Sequence, residues 1–124
     1  SEAAQRLLNE AARYLGTPYV WGGYSPSGFD CSGFVSYCLT NSGVRNTGRL
    51  TAQGLYNICT PVSQSEAQPG DLIFFTGTYD AGEPVTHIGI YVGNDQMIHC
   101  GHPVQYTSIN SPYWQSHFYG FGRW

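Results

Sequence analysis

The first half of the chain carries apolar residues at the spacing of amphipathic helices, separated by loops rich in glycine and proline. In the first of these segments Leu7, Leu8 and Ala11 recur every three or four residues, which places them on one helical face. Gly16 and Pro18 end the pattern because neither residue continues a helix well. The pattern predicts three helices, over residues 2–15, from Asp30 to the turn Asn41-Ser42-Gly43, and over a short segment after Thr51.

The second half of the chain has short runs of β-branched and aromatic residues bounded by turns, which is typical of strands. Gly93-Asn94-Asp95 is a strong hairpin signal between two of these runs. The predicted helices come first and the strands follow, connected by hairpin turns. This order favours an α+β domain, with N-terminal helices packed on a central antiparallel sheet. No internal repeat or linker divides the chain, so we interpret residues 1–124 as one domain. The predicted strands are residues 72–76, 85–92, 96–100, 104–108 and 118–121.

Composition and charge exclude several classes of function. Hydrophobic residues make up 41% of the 124-residue chain, which is enough for a core and excludes a disordered chain. The formal net charge is -3 and no basic patch is present, so we expect no binding to nucleic acid. The longest strictly apolar run, Leu72-Ile73-Phe74-Phe75, is far too short to cross a membrane. We therefore expect a globular monomer without an integral membrane segment.

The four cysteines raise the question of disulfide or metal chemistry. Cys31 and Cys38 lie on one predicted helix at a separation of about 10 Å along its axis, which is too far for a bridge. A bridge between Cys59 and Cys100 stays open. The cysteines form no CxxC pairs, which argues against a structural zinc site.

The tetrapeptide Asp30-Cys31-Ser32-Gly33 places a cysteine in the first turn of the second predicted helix. A helix N-terminus carries partial positive charge and free N–H groups, which stabilise a thiolate and can receive the oxyanion of an attacked carbonyl. Gly33 is expected to keep the surface beside the thiol free of a side chain. Two ordinary explanations stay open, because Cys31 can be a small buried apolar residue and Asp30 can simply cap the helix.

Two histidines on neighbouring predicted strands can supply a base for this thiol. If Gly93-Asn94-Asp95 forms a three-residue loop, Gly89 faces His99 across the hairpin. His87 and His99 then share one face of the sheet as diagonal neighbours, within reach of a hydrogen bond. A two-residue loop would turn His99 to the other face. The pattern therefore predicts an odd loop or a bulge at this hairpin.

The same histidines allow a second interpretation as ligands of a metal. Two His and one Cys could bind zinc, which would make the protein a metal-dependent hydrolase. No carboxylate or second cysteine falls at a typical ligand spacing, so we expect no metal site. His102 and His117 have no predicted partner and are interpreted as surface residues.

Four segments of the chain, in this order, resemble the NlpC/P60 family of papain-like cysteine peptidases. The resemblance begins near Leu15 and covers nearly the whole chain. It implies a papain-like fold in which N-terminal helices pack on an antiparallel sheet. The four segments are Tyr19-Val20-Trp21-Gly22-Gly23, Asp30-Cys31-Ser32-Gly33-Phe34-Val35, Gln68-Pro69-Gly70-Asp71-Leu72-Ile73-Phe74-Phe75, and His87-Ile88-Gly89-Ile90-Tyr91-Val92-Gly93 with Ile98-His99.

The resemblance also implies roles for single residues. Cys31 matches the nucleophile of the family, His87 its general base, and His99 the third, polar member that orients the base. Tyr19 matches a tyrosine whose hydroxyl helps to stabilise the oxyanion. The ordinary alternative for Tyr19 is a core aromatic residue with a satisfied hydroxyl.

A substrate and a setting follow from the same resemblance. Asp30 and Ser32 match positions that, in some members, hold the free amine of the first residue of the substrate. Those members cut between D-γ-glutamate and a diamino acid in peptidoglycan stem peptides, through a thioacyl-enzyme intermediate and without a cofactor. We therefore expect a secreted, cell-wall-associated bacterial enzyme. We also expect the chain to be the catalytic domain of a larger protein with wall-binding or glycan-cutting domains.

Three other functions are compatible with related folds. A papain-like amidase would cut at the muramyl end of the stem peptide, and an acyltransferase would bring a membrane segment or a long apolar groove. A domain that had lost its chemistry would only bind the wall. The intact set of Cys31, His87 and His99 favours the peptidase over the binding domain.

The substitution His99→Ala should cost less activity than Cys31→Ala. A histidine is a weaker electrostatic partner for His87 than the aspartate or asparagine usual at this position, whereas nothing replaces the thiol. The measurement is kcat of both variants on stem peptides, and equal losses for the two would refute the prediction.

Overall fold

The computed structural model describes every residue from Ser1 to Trp124. Its helices are α1 (Glu2–Ala12), α2 (Cys31–Asn41), α3 (Ala52–Ile58) and α4 (Pro112–His117), with a 3-10 turn at Gln64–Glu66. Its strands are β1 (Tyr24–Ser25), β2 (Gly28–Phe29), β3 (Thr60–Val62), β4 (Leu72–Thr76), β5 (Val85–Gly93), β6 (Gln96–Cys100), β7 (Val104–Ser108) and β8 (Phe118–Arg123). None of the helices has the length and apolar character that crossing a bilayer requires.

Six strands form one antiparallel sheet in the order β3-β8-β4-β5-β6-β7, and β1 with β2 forms a separate ribbon. The predicted α+β architecture, with helices packed on an antiparallel sheet, is confirmed. The bounds predicted for β4, β6 and β7 agree with the structure, and β5 and β8 extend slightly further. The pattern missed β1, β2, β3 and α4, which are short elements without an apolar period of their own.

The sheet buries both of its faces. Side chains alternate along a strand, so Ile88 and Ile98 point to one face while His87 and His99 point to the other. The first face packs on α1, α2 and α3 in the main core. The second face carries a smaller apolar cluster of Ile73, Phe75, Met97, Ile109 and Phe121, against which Trp114 of α4 is packed. The two histidines therefore lie on the face that α4 covers.

Helix α1 ends at Ala12, three residues earlier than the pattern predicts. Leu15, which falls at the same helical spacing as Leu8 and Ala11 in the sequence, is 45% exposed. The reason lies in Gly16, whose N–H donates to the carbonyl of Val104 at 2.9 Å with a backbone φ of +87°. This contact with β7 draws the chain away from the helix axis, and a left-handed backbone at this position favours glycine.

Gly33 holds the start of α2 against the preceding loop. A β-carbon at this position would lie 1.9 Å from the carbonyl oxygen of Gly23 and 2.9 Å from Oδ1 of Asp30. The residue is therefore needed for close packing of two backbone segments. The sequence predicts that Gly33 keeps the surface beside the thiol free of a side chain. The structure shows a different need for glycine, the close packing of α2 on the preceding loop.

The substitution Gly33→Ala should destabilise the protein by about 1–3 kcal/mol, because the overlap with backbone outweighs the better helix propensity of alanine. The matched control is Gly120→Ala in β8, where a β-carbon would meet no atom within 4 Å. Urea denaturation of both variants measures the difference. Equal free energies of unfolding for the two variants would contradict this account.

Candidate active site

Cys31 is the first residue of α2 and is 9% exposed. The side chain of Asp30 caps this helix, because Oδ1 accepts the N–H of Gly33 at 2.7 Å. The predicted helix start and the predicted cap are both confirmed. The thiol of Cys31 lies 3.8 Å from the carbonyl oxygen of Thr86, at the start of β5. Cys31 is therefore placed beside the backbone that carries His87.

The thiol of Cys31 is held in its neutral form. Burial raises its pKa to about 11, and the negative charge of Asp30 adds to the shift. Backbone N–H groups of Ile88 and Ser32 act in the opposite direction but do not compensate. The N–H of Ser32 at the helix start favours the thiolate, as expected, but removal from water outweighs this effect and keeps the thiol neutral in the free protein.

The hairpin between β5 and β6 decides which face His99 occupies. Its turn consists of Asn94 and Asp95, both with positive φ, and Gly93 pairs with Gln96. The expected three-residue loop is therefore wrong. The alternative, a bulge, is confirmed by the register shift between Tyr91 and Gly93, which restores the parity that the histidines require.

The bulge brings the two imidazoles together. Nε2 of His87 and Nδ1 of His99 lie 2.9 Å apart, and the ring planes are 85° from each other. The predicted contact of diagonal neighbours is confirmed. Gly89 leaves room for it, because a β-carbon there would lie 3.2 Å from Cβ of His99 and 2.8 Å from Sδ of Met97.

Both imidazoles are held neutral by their surroundings. Burial lowers the pKa of His87 to about 3, with a further contribution from His99. Burial also lowers the pKa of His99, which is only 4% exposed, to about 4. Trp114 stacks on His87 at a centroid distance of 5.2 Å and meets His99 edge-on at 5.3 Å. His87 itself is half-buried.

Two cavities meet at the site. The thiol cavity, of about 260 Å³, is lined by Cys31, Asp30, Ser32 and Arg49 together with Trp21, Glu83 and others. The imidazole cavity, of about 290 Å³, is lined by His87, His99, His102, Tyr113 and Trp114 among others. Tyr19 and Tyr79 line both cavities. A molecule that contacted the thiol and the imidazole together would therefore pass these two tyrosines.

Tyr19 lines the same cavity as Cys31. Burial raises its pKa to about 12, and the neighbouring Cys31 and Asp30 add to the shift. The hydroxyl therefore keeps its proton near neutral pH. The ring of His102 lies against the ring of Tyr19 at a centroid distance of 4.6 Å.

Of the two histidines expected to be surface residues without a partner, His102 is exposed, although it contacts Tyr19. His117 differs from the expectation. It is half-buried at the end of α4, and its Nδ1 lies 2.7 Å from the carbonyl oxygen of Thr76. This contact ties α4 to β4.

The carboxylate of Asp30 is fully engaged within the chain. Oδ1 accepts from Gly33 and from Ser32, and Oδ2 accepts from the N–H of Gly22 and from Nη2 of Arg49 at 2.6 Å. Arg49 also donates from Nη1 to Oγ of Ser32 at 2.9 Å. Both residues expected to hold a substrate amine therefore have the same cation as their partner.

Sequence reasoning missed Arg49, Trp114 and Thr107. Oγ1 of Thr107 lies 2.9 Å from Nε2 of His99. Thr107 could have been found from the sequence, because the predicted bounds of β6 and β7 place it on the same face of the sheet as His99. Arg49 and Trp114 lie in segments without a periodic pattern, so no signal in the sequence points to them.

All four cysteines are free, so Cys59 and Cys100 are not bridged. Cys59 packs beside Gly122 of β8, whereas Sγ of Cys100 donates to the carbonyl of Phe29. No group of three His, Cys, Asp or Glu side chains is arranged to hold a metal ion.

A cysteine at the start of a helix lies beside two paired histidines on an antiparallel sheet. This arrangement defines a small α+β domain with a candidate cysteine–histidine site. The model of the NlpC/P60 family matches residues 16–123, and the chain belongs to this family.

Several known proteins are similar over nearly the whole chain. The bifunctional muramidase/DL-endopeptidase CwlT of Bacillus subtilis is 43% identical over 96% of this chain and 36% of its own length. The probable endopeptidase p60 of Listeria seeligeri is 47% identical over 94% of this chain and 21% of its own length. The crystal structure of a protein "similar to lipoprotein, NLP/P60 family" from Staphylococcus aureus has a TM-score of 0.93 and 43% identity, covering 99% of this chain and 41% of that one. The chain thus spans well under half of the length of these relatives.

Acidification should lower the melting temperature, beginning near pH 6.5. The unfolded chain protonates both histidines near 6.5, whereas the folded chain does so only at about 3 and about 4. The unfolded state therefore binds more protons in this window, and stability falls as the pH falls from about 6.5 towards 4. Thermal unfolding between pH 7 and pH 5 measures the slope. The variant His99→Gln should flatten the slope, whereas the exposed His102→Gln should not. Identical slopes in all three proteins would overturn the assignment.

Proposed function

We propose that this domain is a cysteine endopeptidase that cuts the D-γ-glutamyl–diamino acid bond of peptidoglycan stem peptides. The observation that carries the proposal is the 2.9 Å contact of His87 with His99 beside the buried thiol of Cys31. Membership of the NlpC/P60 family and similarity to proteins named as endopeptidases support it. The required chemistry is acyl transfer from an amide to water through a thioester.

His87 acts as the general base through Nδ1. Its Nε2 is engaged by His99, whereas Nδ1 has no hydrogen-bond partner within the chain. Burial raises the pKa of the thiol and lowers that of the imidazole, so the resting site favours the neutral pair over an ion pair. The transfer therefore accompanies attack on the carbonyl, when the negative charge moves from sulfur to the carbonyl oxygen.

Tyr19 and the N–H groups at the start of α2 stabilise the oxyanion. The Tyr19 hydroxyl keeps its proton because its pKa is raised to about 12, so it remains a donor throughout the reaction. Donors that are already in place lose little reorganisation energy when the charge develops. The low exposure of Cys31 strengthens this interaction further, because water does not screen it.

The remaining steps return the site to its resting state. When the tetrahedral intermediate collapses, the carbon–nitrogen bond breaks and Nδ1 of His87 gives its proton to the leaving amine. Water then transfers a proton to His87 and attacks the thioester. The carbon–sulfur bond breaks and Cys31 recovers its proton. No cofactor takes part.

The two cavities accommodate the two sides of the cleaved bond. The acyl side lies in the thiol cavity, and the leaving diamino acid lies in the imidazole cavity, next to the residue that protonates it. Asp30 and Ser32 hold the free amine of the first residue of the substrate. Because Asp30 already receives four donors, the incoming ammonium displaces Arg49, whose side chain is 32% exposed.

The setting of this activity is the bacterial cell wall, outside the cytoplasmic membrane. The relatives carry this domain as 36% and 21% of a longer protein. We propose that this domain is likewise tethered to modules that bind the wall or cut glycan. The net charge of -3 gives the domain itself no electrostatic attraction to an anionic polymer.

Digestion of purified peptidoglycan tests the function. Wild type should release fragments with a new diamino-acid N-terminus, identified by mass spectrometry, and Cys31→Ala should release none. Cys59→Ala, which removes a half-buried thiol away from the site, should cleave like wild type.

New L-alanine N-termini would instead identify a muramyl amidase. Cleavage by Cys31→Ala would exclude Cys31 as the nucleophile, and inhibition by a chelator but not by a thiol alkylator would point to a metal-dependent hydrolase. Binding of the wall without any product would leave only a binding domain.

A further inference from the structure

We infer that Thr107 is a positioning residue that fixes the protons of the histidine pair, so that Nδ1 of His87 is free to accept the proton of the thiol. The inference rests on the proposed function and extends it. Three strands contribute one residue each to the arrangement, which runs from His87 on β5 through His99 on β6 to Thr107 on β7.

Strand register places all three side chains on one face. His99 pairs with Gln105 across β6 and β7, so Thr107, two residues further on, lies diagonal to His99 on the same side. His87 stands diagonal to His99 in the same way on the other flank. Both contacts measure 2.9 Å, one from Nε2 of His87 to Nδ1 of His99 and the other from Nε2 of His99 to Oγ1 of Thr107.

The direction of these hydrogen bonds follows from the reaction. Once His87 has accepted a proton, both of its ring nitrogens carry hydrogen, so Nε2–H must donate to Nδ1 of His99. Nδ1 of His99 then has to be bare, which places the proton of the neutral ring on Nε2. That N–H donates to Oγ1 of Thr107, whose own hydrogen is free to turn towards solvent because Thr107 is half-buried.

Thr107 is the only hydrogen-bond partner at this end of His99. The imidazole is 4% exposed, and the neighbouring Trp114 presents an aromatic ring that is no substitute for an oxygen acceptor. Without the hydroxyl, the proton of His99 would be better placed on Nδ1, facing His87. His87 would then carry its own proton on Nδ1, where it cannot act as a base.

The experiment compares Thr107→Val, which keeps the shape and removes the hydroxyl, with Thr107→Ser, which keeps the hydroxyl. Because an unpaired buried group costs on the order of one power of ten in an equilibrium constant, kcat should fall about 10-fold in Thr107→Val. KM should stay unchanged and Thr107→Ser should recover most of kcat. Tyr106→Phe removes a hydroxyl from the adjacent exposed residue and should behave like wild type.

A spectroscopic readout separates this inference from the proposed function. In the Cys31→Ala background, ¹⁵N NMR of His99 should show the proton on Nε2 with Thr107 present and on Nδ1 with Thr107→Val. Unchanged protonation in the valine variant, or equal loss of kcat in the valine and serine variants, would overturn the inference. The NMR result does not require activity, so a wild type that fails to cut peptidoglycan would refute the proposed function alone.

Discussion

The site depends on the register of one hairpin. With a two-residue turn and no bulge, His99 would face the helices and His87 would have no partner. The bulge between Tyr91 and Gly93 adds one residue to β5 and so turns His99 to the same side as His87. Gly89 then permits the two imidazoles to meet across the strand pair. A single inserted position thus determines whether the two imidazoles can form their hydrogen bond.

Burial, more than the helix N-terminus, sets the charge state of this site. The same removal from water raises the pKa of the Cys31 thiol and lowers those of His87 and His99, so all three groups rest neutral. A preformed ion pair would need both shifts to run in the opposite direction. In the proposed function the proton therefore moves during attack, when charge appears on an oxygen that Tyr19 and backbone N–H groups are proposed to stabilise. The hydrogen bonds around the histidines matter more in such a site than static attraction between charges.

The sequence predicted those parts of the structure that repeat or alternate. Strands β4, β6 and β7 follow from their own apolar runs, and the facing of His87 and His99 follows from side-chain parity once a bulge is allowed. The end of α1 could not be predicted, because it depends on a hydrogen bond between Gly16 and distant Val104. The extent to which burial raises the pKa of the Cys31 thiol could not be predicted for a similar reason. Burial of Cys31 depends on packing against β5, which local rules about helix ends do not include.

In the proposed function, the partners that Asp30 already has within the chain restrict how substrate is selected. Asp30 caps a helix and also binds Arg49, so its carboxylate is not an unpaired charge beside Cys31. An ammonium group that displaces the guanidinium exchanges one charged partner for another and gains little from charge alone. Discrimination must then come from where the ammonium stands relative to the thiol. A peptide whose amine lies at the wrong distance from its scissile carbonyl would satisfy Asp30 and miss Cys31. In the proposed function, Asp30 therefore caps the helix, pairs with Arg49 and selects substrates by length.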